Sequence, residues 1–378
     1  MLAVNILIKI REFIDLYSDF VFCLIGCLRK FSKKDVIFIC DKLHDCENVE
    51  LIDGITLFEN ALDEGKNAFY LISKDYPDYR VIRQKYGKRV LKYSSNMHIK
   101  HFFKFLGLSK FLTTFELKIP YHKFLYEDAD IDLVFVQHGP TLLKKHVFDL
   151  YNQNEYNKMV VSNDIEADIV KKNGKFKDEN IIKAGLPRYD KLIDECNGKE
   201  KNILLFFTWR LSFGTIDYKK SLYYQKINSL LKNESFQSLL KENKINLKIA
   251  IHHSMKIDYD NVLLVNSREI NSVIKKSDLL ITDYSSVWGD FFFLNKPVIF
   301  YRPDIDDKQL ISRDREDIEF ALKSDDLLFN ITSSELELIT NIQKYINNNF
   351  SLEPDFINKQ NSMFYYKKDI CKRILEQV

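Results

Sequence analysis

The 378-residue chain carries 56 lysines and arginines against 54 aspartates and glutamates, a formal net charge of +2, and 46% of it is hydrophobic. Near-neutrality excludes a global field for nucleic acid, so any basic partner surface must be local, and the length and apolar content allow two domains with cores of their own. The six cysteines, Cys23, Cys27, Cys40, Cys46, Cys196 and Cys371, form no CxxC pair and no zinc spacing, and no secretory cleavage signal precedes them, so they read as reduced cytoplasmic thiols.

From Ile6 to Leu28 apolar residues recur at helical spacing between charged ones, and Arg29, Lys30, Lys33 and Lys34 follow at once. The uncharged run from Phe20 to Leu28 is too short to span a bilayer, which takes about 20 apolar residues. Two readings compete, a helix packed on the protein's own core and a helix lying on an anionic membrane surface. The basic cluster favours the second.

After Asp35 an α/β alternation begins. Val36–Cys40 reads as a strand, Gly54–Glu64 as a helix and Ala68–Ser73 as a strand, a rhythm that implies crossover connections and parallel sheets. Between Arg83 and Lys110, cations interleave with aromatics, including Phe102, Phe103 and Phe105. This reads first as a solvated face and second as a lipid-headgroup surface.

Ile131–Val136 is an apolar run, and Gln137-His138-Gly139-Pro140 forms the loop leaving its carboxyl end. A neutral imidazole at such a loop is a candidate general base, because its unperturbed pKa lies near working pH. Gly139 permits close approach of ligand or backbone. Lys144 and Lys145 stand just beyond, where they can face an anionic acceptor. Lys158–Asn163 is a strand, Ile165–Lys172 a helix, and a further strand runs from Ile181 into Gly185-Leu186-Pro187-Arg188-Tyr189-Asp190. Arg188 offers a planar fork suited to phosphate oxygens, with Asp190 as a possible ion-pair partner. The polar tract Asp194–Asn202 marks a domain boundary.

A second alternating unit follows. Ile203–Phe207 leads to Thr208-Trp209-Arg210, with a second phosphate-competent arginine; Tyr223–Asn243 reads as one helix; Leu247–Met255 reads as a strand ending at His252 and His253. Adjacent strand residues point to opposite faces, which argues against both histidines on one metal. His252 reads as a donor to phosphate. Leu279–Thr282 is a strand, Asp283-Tyr284-Ser285-Ser286 a polar turn before a short helix, and Pro297–Tyr301 another strand. The turn lies where open α/β sheets bind ligands, and the Ser285 and Ser286 hydroxyls with the helix's first N–H groups suit a diphosphate. An ordinary N-cap role for either serine competes with that reading.

In this order QHGP at 137–140, GLPRYD at 185–190, TWR at 208–210, His252 and ITDYSSVWGDFFFLNKPVIFYRPD at 281–304 resemble the CDP-glycerol glycerophosphotransferase family of wall teichoic acid and capsule synthesis. The resemblance covers about residues 130–305, and its last block is the most specific. Two departures are the order His138-Gly139-Pro140-Thr141, where the family has His-Gly-Thr-Pro, and His252-His253 in place of His-Pro.

The resemblance implies a GT-B-type architecture, two Rossmann-like doubly wound domains facing across a cleft, with no catalytic metal and no cofactor. Residues 1–34 would be a membrane-surface segment, 35–196 an acceptor- and membrane-facing domain, 197–350 a CDP-donor domain, and 351–378 would carry a helix, Phe364–Gln377, crossing back to the first domain. The implied reaction moves glycerol or ribitol phosphate from a CDP-alditol to a hydroxyl of a lipid-linked or surface-glycan acceptor, at the cytoplasmic face of the membrane. His138 would be the base. His252, Arg188, Arg210, Thr208, Ser285 and Ser286 would meet the donor phosphates, Asp283 would orient the turn, and Gly139 and Lys144 would lie toward the acceptor. The rival readings are a GT-B enzyme using a nucleotide sugar and a membrane-associated scaffold without turnover.

Overall fold

The computed structural model describes residues 17, 20–41, 53–72, 76, 79–93, 97–114, 122–128, 130–145, 148, 151–208, 210, 212, 217–250, 263–265, 269–307, 310–323, 328 and 330–378. Of the sequence-derived features, residues 1–16, Trp209, His252 and His253 lie outside them.

Among the described residues the strands form two wholly parallel sheets. The first contains β1 (Val36–Cys40), β2 (Asn67–Ile72), β3 (Val90–Lys92), β4 (Leu108–Thr113), β5 (Asp132–Phe135), β6 (Lys158–Val161) and β7 (Ile181–Lys183), in the order β3-β2-β1-β4-β5-β6-β7. The second contains β8 (Lys201–Phe206), β9 (Ile245–Ala250), β10 (Leu263–Leu264), β11 (Leu279–Thr282), β12 (Val298–Tyr301) and β13 (Ile331–Thr332), in the order β10-β9-β8-β11-β12-β13. Both orders are doubly wound, as the resemblance implies. The winding reverses between β1 and β4 in one sheet and between β8 and β11 in the other, and a crevice opens at the carboxyl ends of strands where winding reverses.

Strands covered on both faces need no polar alternation, so Val36–Cys40 and Leu279–Thr282 are buried at every residue. One apolar cluster fills the far face of each sheet, and a third runs continuously between the lobes through Tyr189, Trp288, Phe293 and Phe364. The lobes are thus joined by packed side chains as well as by the chain.

Several elements depart from the sequence reading. Strand β3 and the start of β4 lie inside the 83–110 stretch that was read for its charges, because short strands carrying Lys92 and Lys110 give weak periodicity. The helix expected over 223–243 is two helices, Leu222–Lys232 and Glu234–Glu242. Asn233 takes extended dihedrals between them, and its side chain accepts from the Phe236 backbone N–H as an N-cap. The last helix is Ile370–Gln377, shorter than expected. Its first N–H groups, those of Ile370 and Cys371, donate to Asp190 at 2.9 and 2.8 Å, and it packs on the helix Asp53–Asp63 of the first lobe. Asp190 is therefore a helix cap and does not pair with Arg188.

Residues 20–29 are helical, with Val21 and Ile25 buried in the first lobe. Arg29 does not join a basic surface. It is buried, pairs through Nε with Asp128 at 2.8 Å and donates through Nη1 to the Phe105 carbonyl at 2.7 Å. The opposite face leaves Tyr17, Phe20, Leu24, Leu28 and Phe31 exposed. No helix among the described residues is long and apolar enough to cross a membrane.

Candidate active site

At the carboxyl end of β5 the backbone turns through Gln137, whose φ of 70° is a left-handed conformation costing roughly 1–3 kcal/mol for a non-glycine residue. Packing offsets that cost. Gln137 is buried and donates through Nε2 to the Val160 carbonyl. The loop beyond is held by Glu166, which is fully buried and accepts from the Thr141 backbone N–H at 2.9 Å, the Thr141 hydroxyl at 3.0 Å and the Ser162 backbone N–H at 2.6 Å. Burial pushes the Glu166 carboxyl up, against those hydrogen bonds.

This turn places His138 deep between the lobes with its ring still exposed to the cleft. Nδ1 lies 2.7 Å from the Thr114 carbonyl. A carbonyl only accepts, so Nδ1 carries the proton and Nε2 keeps its lone pair. Desolvation holds the His138 pKa below the ordinary histidine value, against the Thr114 hydrogen bond and Asp53, which raise it, and with Arg188 and Lys144 lowering it further. The imidazole is neutral at pH 7, with its basic nitrogen away from the supporting carbonyl.

Thr114 follows β4, at the first sheet's reversal, and its hydroxyl donates to Asp41 at 2.7 Å. Asp41 follows β1 on the other side of that reversal and also accepts from Tyr70 at 2.7 Å and from the Gly54 backbone N–H at 3.2 Å. Burial raises the Asp41 pKa to about 6 in spite of these donors.

The second sheet's reversal carries the other wall. Asp283 follows β11 and is fully buried. It accepts from the Thr208 backbone N–H at 3.0 Å, from Tyr223 at 3.1 Å and from the Tyr284 backbone N–H at 2.6 Å. Arg210 meets Asp283 at 3.0 Å and Asp304 at 2.9 Å, with Tyr223 and Tyr284 against its guanidinium. The Thr208 hydroxyl is buried and has no hydrogen-bond partner among the described residues. Ser285 is buried and Ser286 half-buried; the following helix begins at Trp288, so the Ser285 hydroxyl, 3.4 Å from the Val287 N–H, is at most a weak cap. Lys144, on the loop after β5, is half-buried within electrostatic reach of His138 as well as of Asp283 and Arg210, and burial lowers its pKa.

The two walls meet. A Cβ added at Gly139 would stand 2.3 Å from the Ser286 hydroxyl oxygen, and one at Gly289 would stand 2.7 Å from Pro140, so glycine on each side permits the contact. His138, Gly139, Ser286 and Arg188 are thereby brought together, with Ser285, Thr208, Asp283 and Arg210 on the second wall and Lys144 of the first lobe within electrostatic reach of both. The arginines do not stand open as phosphate forks: Arg188 is held by Asp53 and Asp290, and Arg210 by Asp283 and Asp304. Sequence reasoning missed Asp41, Thr114 and Asp53, which precede every motif quoted, and Glu166, which sits in a plain helical segment. Asp290 and Asp304 fall inside the 281–304 block and were available to it. Among the described residues no cluster of histidine, cysteine and carboxylate side chains is arranged to hold a metal ion.

The family model described as CDP-glycerol:poly(glycerophosphate) glycerophosphotransferase matches residues 27–376. The chain is similar to the minor teichoic acid biosynthesis protein GgaB of Bacillus subtilis (strain 168), with 27% identity over 369 residues, 89% of this chain and 38% of that protein. It is also similar to the teichoic acid glycerol-phosphate primase of the same organism, with 31% identity over 188 residues, 46% of each chain. The chain therefore spans less than half the length of these two curated relatives. In fold it resembles the wall teichoic acid polymerase TagF, with a TM-score of 0.62 and 16% identity, covering 98% of this chain and 96% of that one.

Proposed function

The chain belongs to the CDP-glycerol:poly(glycerophosphate) glycerophosphotransferase family, and on that premise we propose that its cleft transfers glycerol phosphate or ribitol phosphate from a CDP-alditol to an acceptor hydroxyl, releasing CMP, in teichoic acid or capsule synthesis. The observation that carries the reading is the meeting of the His138 loop with the Ser285-Ser286 turn, at Gly139 and Ser286, at the mouth of two parallel sheets.

The chemistry follows from that meeting. An acceptor hydroxyl attacks the β-phosphorus, a new P–O bond forms, the bond from that phosphorus to the bridging oxygen breaks, and CMP departs with the bonding pair. Nε2 of His138 takes the hydroxyl proton, a contribution of roughly 10²–10⁴-fold. Charge building on the phosphate oxygens is met by fixed donors, the Ser285, Ser286 and Thr208 hydroxyls and the Lys144 ammonium. His252 joins them by resemblance. Asp283, with Arg210 and Asp304, holds the donor wall in shape. The first lobe then meets the acceptor and the second the nucleotide.

The acceptor in this reading is a lipid-linked or surface glycan, reached from the cytoplasmic face of the membrane. Exposed Tyr17, Phe20, Leu24, Leu28 and Phe31, with Lys30 and Lys33 beside them, support peripheral attachment through the outer face of the 20–29 helix.

The test offers CDP-glycerol, CDP-ribitol and UDP-sugars with a panel of lipid-linked acceptors and reads nucleotide release and product mass. CMP with a product heavier by one alditol phosphate is expected. UDP release from a sugar nucleotide would transfer the case to a glycosyltransferase, and no turnover with any donor would favour a scaffold.

A further inference from the structure

We propose that Arg188, gripped between Asp53 and Asp290, is a positioning residue that couples the seating of the second lobe to the aim of His138. The inference rests on the transfer reaction above and adds residues that reading does not assign.

Arg188 lies in the short turn Pro187–Lys191 that ends the first lobe's last strand. Its backbone N–H donates to Asp53 at 3.0 Å and Nη1 to the same carboxylate at 2.7 Å. Nε and Nη2 form a two-point pair with Asp290, at 2.7 and 3.1 Å. Nη1 also reaches the His138 carbonyl at 3.1 Å. Asp53 and Asp290 are buried and the Arg188 side chain nearly so, which removes solvent screening and fixes the fork's direction.

Each carboxylate sits on a different part of the machinery. Asp53 opens the helix whose next residue, Gly54, donates to Asp41, and Asp41 in turn holds Thr114, the support of the His138 ring. Asp290 belongs to the helix Trp288–Phe293, which follows the Ser285-Ser286 turn directly. One planar cation thus ties the base-bearing loop to the helix behind the donor turn.

The neighbouring residues of the turn serve the same joint. Tyr189 stacks on Phe293 of the second lobe with centroids 4.3 Å apart and planes 12° apart, and Asp190 caps the returning C-terminal helix. A residue that sets the distance between base and phosphorus governs turnover more than donor affinity, since a 1 Å misplacement costs on the order of 10²-fold in rate.

The experiment compares Asp290→Asn, Asp290→Glu, Arg188→Lys and Arg188→Gln for donor affinity by calorimetry, for kcat and KM, and for the pH–rate profile. Expected are kcat losses of roughly 10²-fold in Asp290→Asn and Arg188→Gln, donor Kd within about threefold, and non-additive loss when Asp290→Asn and Arg188→Gln are combined. The charged groups facing His138 are Asp53, Arg188 and Lys144. Removing the guanidinium therefore moves the acid limb of Arg188→Gln to higher pH, whereas Arg188→Lys, which keeps the positive charge, leaves it in place. A donor Kd raised thirtyfold in Arg188→Lys with full turnover in Asp290→Asn would overturn the proposal and make Arg188 a phosphate ligand. Should Asp290→Asn fail to fold, Asp290→Glu and Arg188→Lys carry the same comparison. Should wild type turn over no donor, hydrogen–deuterium exchange of residues 136–143 decides separately: faster exchange in Asp290→Asn supports the coupling, and unchanged exchange ends it.

Discussion

The carbonyl of Thr114 accepts a 2.7 Å hydrogen bond from Nδ1 of His138 and so leaves Nε2 as the ring's basic atom. A backbone carbonyl cannot give up its place to a proton, so this support fixes the tautomer at every pH at which the ring is neutral.

Replacing His138 by alanine is expected to lower kcat by about 10²–10⁴-fold while donor affinity stays within a few-fold. Because burial depresses its pKa, the wild-type rate should fall only as pH drops below the usual histidine value near 6.5. Nucleotide release measured from pH 5 to 8, beside calorimetry with the donor, checks both. Near-normal turnover in the variant would remove His138 as base.

The donor turn gives a complementary phenotype. Ser285→Ala with Ser286→Ala should weaken donor binding by roughly tenfold or more, since each lost hydrogen bond to a charged group costs about 1.5–3 kcal/mol. Gly139→Ala should depress turnover because the new methyl collides with Ser286, whose backbone sits behind it. Unchanged calorimetry in the serine variant would clear the turn of any contact with the diphosphate.

Asp41 makes stability depend on acid. Its folded pKa, about 6, exceeds the ordinary 3.8, so the folded state binds the extra proton. The stabilisation is fully present below pH 3.8 and is lost as pH rises through 6, a change of about 3 kcal/mol. Asp41→Asn should flatten that part of the stability curve in denaturant titrations from pH 4 to 7. An unaltered slope would place the titration elsewhere.

The N-terminal helix separates two roles by face. Arg29→Ala should cost about 3 kcal/mol or more, because it strands Asp128 and three backbone carbonyls, those of Phe105, Leu106 and Asp130. Phe20→Glu with Leu24→Glu and Phe31→Glu, all exposed, should leave the melting temperature alone yet reduce sedimentation with anionic vesicles at least tenfold, as burying each such side chain is worth about 1.5–3 kcal/mol. Undiminished sedimentation would move attachment to another surface.

The sequence by itself determined the two alternating units, because buried parallel strands such as Val36–Cys40 and Leu279–Thr282 must be apolar throughout and so stand out from their surroundings. It also determined the position of His138, Asp283, Ser285 and Ser286 at strand ends, since a polar turn after an apolar run has one place to be in such a sheet. Only the tertiary structure decided who partners whom. Arg188 and Arg210 each look like phosphate forks in isolation, and each is claimed by two carboxylates far off in the chain, Asp53 with Asp290 and Asp283 with Asp304. Arg29 likewise left a basic surface cluster for a buried pair with Asp128. The physical reason is that strand and helix periodicity is written locally, whereas a buried charge is settled by whichever opposite charge the folded chain brings within a few ångströms.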